Sequence, residues 1–376
     1  MESLFREKWA PLTAGILIGF LNTMLFMVDS PWSVFAGLRN WGLHIMEFLG
    51  FPDVAQVSPF EQVSSIMDMA FLLGAFGAAM LAKDFIISIP PLREAVKGIL
   101  GGILMGIGAN FSRGCTVGGF YSSISALSVS GLFMMLGLFI GVIIGLKLLI
   151  AEKKRLKGNS GGGSVIKPPE KVMVSTGIVA LLCGLIVIPY YFDKSDMNEL
   201  GLIFLLAAII GIANQRSRFC IVGAIRNPFM TGDGDMTKAV IATFIVTITG
   251  FSVIKFFEIA EVHEHVASSV GWPALIGGII FGVGMSIAGG CASGSLWRAG
   301  EGHIKLMLAV IFFSLSAGFT HFVLQYYLEY SYVKKVFLPE VWNSWLAAFA
   351  VVFGILYLWY WIVSWNEKTE KLVIME

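Results

Sequence analysis

Residues 101–119 read "GGILMGIGANFSRGCTVGG", and residues 277–295 read "GGIIFGVGMSIAGGCASGS". Each opens on Gly-Gly, continues as a glycine-spaced apolar run and ends on Gly-Cys. Gly102, Gly106, Gly108, Gly114, Cys115 and Gly118 fall on Gly278, Gly282, Gly284, Gly290, Cys291 and Gly294. Four-residue glycine spacing alone is a common way for helices to pack in lipid. A coincidence that extends to a cysteine marks a duplicated unit. A looser match sets Gly19-x-x-Asn22 against Gly211-x-x-Asn214.

Composition says where such a unit is dissolved. Of 376 residues, 56% are hydrophobic and 14% charged, with 43 glycines and 10 tryptophans. Soluble domains carry about a quarter of their residues charged. Apolar stretches long enough to cross about 30 Å of hydrocarbon recur throughout. They lie near 10–28, 62–82, 98–112, 129–150, 173–190, 200–215, 238–257, 273–288, 306–328 and 341–364. The expected fold is all-α and polytopic. Shorter apolar pieces at 31–49, 115–126, 218–230 and 291–303 are candidate re-entrant half-helices, because broken helices survive at membrane depth only where protein buries them or water lines them. Interfacial helices are the alternative, chiefly for 31–49.

The repeat then organises the chain. Residues 1–150 form a first unit of four spans and two half-helices, and 200–330 form the second. A basic Gly/Ser-rich linker (151–171), an extra span (172–199) and a last span with its tail (331–376) complete the chain. One extra span between even units inverts the second copy, so the half-helices meet at a central constriction. Charge agrees with that layout. Arg6, Lys8, Lys83, Arg93, Lys97, the linker lysines, Arg216, Arg218, Arg226, Lys238, Arg298, Lys305, Lys368 and Lys371 fall on one side, against Arg39, Arg113, Lys194, Lys334 and Lys335 on the other. The positive-inside rule places both termini in the cytoplasm of a multi-pass protein of the cell (inner) membrane. The linker reads as a flexible joint.

Inversion sets Cys115 at an outer dip and Cys291 at an inner one, with Cys220 of "QRSRFCIVGAIRN" on the other inner half-helix. Phe26, Met27 and Val28 stand at the equivalent place in the first copy. Lone cysteines in apolar helices act as small hydrophobes, and Cys183, without glycine or basic neighbours, is read that way, as a small buried sulfur. For Cys115, Cys220 and Cys291 the repeat favours function. Disulfides and zinc are not expected, the sulfurs lying on separate elements far apart in sequence without a histidine pair. Helix amino ends offer unpaired N–H groups to anions, and thiols are weak donors and soft partners. Together they suit a soft sulfur or selenium anion. Gly114 and Gly290 let the backbone approach it, and Arg113 and Arg298 gather it at the two mouths. Asp68, an acid inside a span, is a candidate by default, with capping or contact with water near the outer end as its alternative. Asn22 and Asn214 bind substrate or fix half-helix backbone. Glu301, His303, His263 and His265 read as solvated surface. No Walker loop, nucleotide fingerprint or metal-ligand spacing occurs, so no cofactor, metal or nucleic acid partner is expected.

The Gly-Cys half-helices, the "RSRFC" segment at 216–220 and "GGCASGSLWRAGEG" at 289–302 resemble the YeeE/YedE sulfur-transport family, over almost the whole chain. That family comprises thiosulfate transporters and a YedE branch linked to selenium metabolism. The four-cysteine layout, the long basic linker and "WRAGEG" favour the YedE branch. The resemblance implies an hourglass of inverted halves, in which the thiosulfate branch passes substrate along three essential cysteines. Cys115 and Cys291 match two of these. Val28 or a neighbour replaces the first, and Cys220 occupies the mirror position. Two classes of function are implied. One is a transporter or channel, not an enzyme, for a soft sulfur- or selenium-containing anion. The other is a membrane-embedded persulfide or selenium relay that delivers to a small cytoplasmic sulfur-carrier protein, a partner the resemblance also suggests.

Overall fold

The computed structural model describes residues 7–51, 57–155, 162–192, 198–259, 266–267, 269–326 and 335–374. Arg6, Lys194, Glu261, His263, Glu264, His265, Lys334 and linker residues 156–161 lie outside them. Among the described residues, ten helices are long and apolar enough to cross a membrane. Their cores are α1 (Pro11–Val28), α3 (Val63–Leu81), α4 (Leu92–Ser112), α6 (Val129–Arg155), α7 (Glu170–Phe192), α8 (Asn198–Ser217), α10 (Asp235–Phe256), α11 (Trp272–Ala288), α13 (Ile304–Tyr326) and α15 (Trp345–Thr369). Short helices stand between them. These are α2 (Phe35–Phe48), α9 (Ile221–Met230), α12 (Ala292–Gly300), and a π-helical turn (Thr116–Ser122) that runs into α5 (Ser123–Ser125). A single turn, α14 (Leu338–Val341), precedes α15. The chain is a multi-pass, all-α membrane protein, as its composition requires.

The glycines explain how so many helices fit. A Cβ added to Gly108 would lie 2.6 Å from the Gly277 carbonyl oxygen, and one on Gly277 would lie 2.6 Å from that of Gly108. Gly101 and Gly284 face each other in the same way, at 2.6 and 2.8 Å. The helices α4 and α11 therefore cross antiparallel, backbone against backbone, where only glycine fits. The other face of each ladder packs elsewhere. Gly102 presses on the carbonyl of Ala309 in α13 (2.4 Å), whereas Gly278 and Gly282 press on Gly137 and Gly141 of α6. Likewise Gly19 of α1 meets Thr243 of α10, and Gly211 of α8 meets Phe71 of α3. The two stretches 1–150 and 200–330 thus interleave helix by helix.

One end of the bundle gathers charge. Lys97 pairs with Glu94 and Glu152, Lys305 with Glu94, and Lys83 with Glu170. Arg216 is 1% exposed, pairs with Asp84 at 2.9 Å and donates to the Glu7 carbonyl. The linker is not a free joint along its described length. Lys153 and its neighbours continue α6, and β2 (Ser164–Ile166) pairs antiparallel with β1 (Ile87–Ile89) at this same end. Its glycines masked the strand-forming Ser-Val-Ile beyond them.

Candidate functional site at the amino ends of the short helices

Three cysteines begin three short helices, and each lies two positions after a left-handed residue. Arg113 (φ 56°), Arg218 (φ 58°) and Gly289 (φ 86°) turn the chain, and Cys115, Cys220 and Cys291 then cap the π-turn, α9 and α12. Glycine takes that backbone freely, whereas an L-residue spends about 1 kcal/mol or more on it. Arg113 and Arg218 therefore sit there at a cost that glycine would not bear.

Cys115 and Cys291 are fully buried, and Cys220 is 6% exposed. The Cys115 thiol faces the backbone N–H groups of Val117 and Gly118 in its own turn, and that of Val34 at the start of α2. Cys291 accepts from the Gly294 N–H at 3.4 Å and lies 3.5 Å from the Ser293 hydroxyl. The Cys220 thiol and the Thr116 hydroxyl, one residue from Cys115, also lie beside it. The amino ends of α2, the π-turn, α9 and α12 therefore meet around one file of thiols and amides. A Cβ on Gly294 would touch both sulfurs, at 3.3 Å from Cys291 and 3.4 Å from Cys220.

Val28 ends α1 and does not begin a short helix, whereas Ser33 lies just before α2. "SVFAGLRN" (33–40) and "CIVGAIRN" (220–227) share their spacing to Arg-Asn. A Cβ on Gly118 would lie 2.9 Å from the Ser33 hydroxyl, as one on Gly294 would lie beside Cys220. Ser33 thus stands where the thiol would be. The signal was legible, but alignment from the end of the span hid it.

The remaining expected residues take varied places. Gly114 and Gly290 press on their own short helices, where a Cβ would meet Gly119 N at 2.4 Å and Ser295 Oγ at 2.9 Å, so they let the chain fold back. Asn22 accepts from the Trp32 N–H at 2.6 Å and so holds the loop before α2. Asn214 donates to Ile210 of its own helix. Asp68 reaches no water: it is fully buried against Gly37, toward the Leu38 amide in the first turns of α2 and within electrostatic reach of Cys115. Arg298 donates to the Gly289 carbonyl at 3.2 Å and stacks over Trp297. Arg113 lies near Arg39 and His321. Cys183, expected to be buried, is exposed on the bundle's periphery. Among the described residues, its helix has no partner on that face.

Arg216 and Arg218, which flank Cys220 in sequence, are committed to acids. Arg218 pairs at 2.8 Å with Glu301, which is 1% exposed and also accepts from Gln215 at 2.9 Å. Glu301 is therefore not surface, although it follows a half-helix in a polar run. A buried acid needs partners, and the arginines beside Cys220 supply one. His303 lies 3.5 Å from the same carboxylate.

Comparison with known proteins fits a transport path. The chain is 26% identical over 315 residues to the protein named "Probable transporter YedE" of Escherichia coli, covering 79% of this chain and 77% of that one. It is 29% identical over 178 residues to "Thiosulfate transporter TsuA" of Escherichia coli, covering 44% of this chain and 47% of the relative. The TsuA of Spirochaeta thermophila is 33% identical over 113 residues, 30% and 34% of the two chains. A family model described as sulphur transport matches residues 1–144 and 216–375, both Gly-Cys ladders included, and the chain belongs to that family.

Proposed function

We propose that this protein carries a soft sulfur- or selenium-containing anion, thiosulfate-like or a selenium oxyanion or selenide, across the cell (inner) membrane. The anion passes Cys115, Cys291 and Cys220 by reversible contact. The observation that carries this reading is the meeting of short-helix amino ends around buried thiols. The N–H groups gathered there and the helix dipoles favour an anion, and polarizable sulfur favours a soft one. The relatives' names point the same way, to transport of thiosulfate in one branch.

Residues 10–150 and 200–328 are read as one unit and its copy, related by a half-turn in the membrane plane, with the short helices as re-entrant elements. Supporting this, the contacts Gly108–Gly277 and Gly101–Gly284 exchange with each other when each residue is replaced by its match in the other ladder. Cys115 then guards the outer side and Cys291 the inner, with Cys220 beside it and both termini in the cytoplasm.

Uptake of labelled thiosulfate, selenite and sulfide into proteoliposomes tests the reading. Cys115→Ala and Cys291→Ala should abolish uptake while insertion is kept, and serine should rescue poorly. Full-rate transport with serine at Cys115, Cys220 and Cys291 together would remove thiol softness from the mechanism. The closeness of Cys220 to Cys291 supports a second reading, a persulfide relay to a cytoplasmic sulfur-carrier protein. In that reading the Cys291 thiolate attacks the outer sulfur of thiosulfate and sulfite leaves, so a Cys291 persulfide that forms with sulfite release and turns over with thiosulfate, detected by mass spectrometry, would select it.

A further inference from the structure

Arg39, Arg113, Arg226 and Arg298 have no carboxylate partner among the described residues, unlike Arg216 and Arg218 nearby. All four are half-buried. They fall into two pairs. Arg39 and Arg113 lie within electrostatic reach of each other and of His321, at the Cys115 end of the file. Arg226 and Arg298 lie within reach of each other and of Cys220, at the other end. The pairs correspond in sequence, since Arg39 follows Ser33 at the spacing by which Arg226 follows Cys220.

Aromatic rings hold two of the guanidiniums from one face. Arg39 stacks 5.3 Å over Phe35, and Arg298 stacks 5.0 Å over Trp297. Stacking fixes the plane and turns the N–H edge outward, where Arg298 gives one N–H to the Gly289 carbonyl and has others for an oxyanion. The Nε of Arg226 is buried with no hydrogen-bond partner among the described residues. Two cations side by side in a poorly solvated place repel each other, and an unpaired buried donor adds its own penalty. A doubly charged anion relieves both.

We infer that the file of thiols is flanked by two oxyanion stations, Arg39 with Arg113 at one end and Arg226 with Arg298 at the other, each taking a sulfur or selenium dianion. This rests on the transport reading above and narrows it. A dianion whose oxygens sit on the arginines can turn a soft sulfur toward the thiols. Monovalent hydrosulfide has no such oxygens and gains little from either station.

The test uses the full chain, purified and reconstituted, with Arg39→Gln, Arg226→Gln, Arg39→Lys and Arg226→Lys. Initial rates are measured from each face with thiosulfate and with hydrosulfide. Each glutamine variant should raise KM for thiosulfate about tenfold from its own face, equivalent to one lost charge-assisted contact. Hydrosulfide should respond by less than about twofold, and lysine, which keeps the charge but not the planar fork, should recover only part of the loss. An unchanged thiosulfate KM in both glutamine variants overturns the inference, as does an equal loss for hydrosulfide. Melting of the detergent-solubilised protein gives a second readout: thiosulfate and sulfate should stabilise the wild type, Arg226→Gln and Arg39→Gln should each lose part of that gain, and the double variant should lose it. If the wild type moves no sulfur anion but shows this arginine-dependent stabilisation, the transport reading falls and the stations stand. If thiosulfate is carried and neither arginine matters to binding or KM, the stations fall alone.

Discussion

Gly294→Ala isolates the space between the two thiols. The added methyl carbon would sit 3.3 Å from Cys291 Sγ and 3.4 Å from Cys220 Sγ, a contact that relaxes with shifts of a few tenths of an ångström. Gly294 lies in the first turn of α12, where alanine is favoured over glycine by up to about 1 kcal/mol. The fold should therefore hold. On the proposed path, the substrate loses room beside the two sulfurs. Two thiol contacts of about 1 kcal/mol each amount to about 2 kcal/mol, or roughly thirtyfold in transport efficiency. Initial thiosulfate uptake, normalised to inserted protein, measures this, and the melting temperature of the same sample reports the fold. Gly354→Ala is the control, because nothing lies within 4 Å of a Cβ there. Full-rate uptake by a well-folded Gly294→Ala protein would refute the placement of the anion between Cys220 and Cys291.

Gly108→Ala should lower the melting temperature, because its methyl meets the Gly277 carbonyl at 2.6 Å and such overpacking costs about 1–3 kcal/mol; a melting curve matching that of Gly354→Ala would contradict the close crossing. Cys183→Ala should leave uptake near wild type, since this sulfur faces away from the file, and a loss comparable to that of Cys115→Ala would mean the path is misassigned. Cysteines introduced at Lys154 and Glu261 should react with an impermeant maleimide from opposite sides of the membrane. Reaction from one side would end the inverted-unit reading.

The spans were legible because lipid imposes a coarse requirement, apolar length, that composition meets in full. Expected and observed spans therefore differ mainly at their ends. The helix α4 begins at Leu92, not near 98, because Arg93, Glu94 and Lys97 extend the helix into the charged end, where Lys97 and Lys305 share Glu94. The short helices were legible as interruptions, but the π-turn after Cys115 was not, since no residue pattern distinguishes a wider helical turn. What sequence could not give was partner choice. Arg218 and Arg226 look alike beside Cys220. One neutralises buried Glu301 from another helix, whereas the other has no acid among the described residues. The repeat itself held more than its cysteines. Aligning on Arg-Asn finds Ser33 and pairs Arg39 with Arg226, and only the approach of Ser33 to Gly118 gives that alignment physical weight.

Ser33 opposite Cys220 makes the two ends of the file chemically unequal. On the proposed path, an anion at the Cys115 end meets one thiol, one hydroxyl and the Val34 amide, whereas at the Cys291 end it meets two thiols. Oxygen is the harder partner and sulfur the softer, so affinity for soft sulfur or selenium should rise from one end to the other. The glycine ladders leave this asymmetry undisturbed. Gly101, Gly108, Gly277 and Gly284 serve one shared crossing, so that a side chain added on either helix would part the backbones of both. The frame is thus tied to its glycines at the crossing, while the residue near each Gly-Cys turn, Ser33 at one end and Cys220 at the other, can differ without moving the helices that carry it.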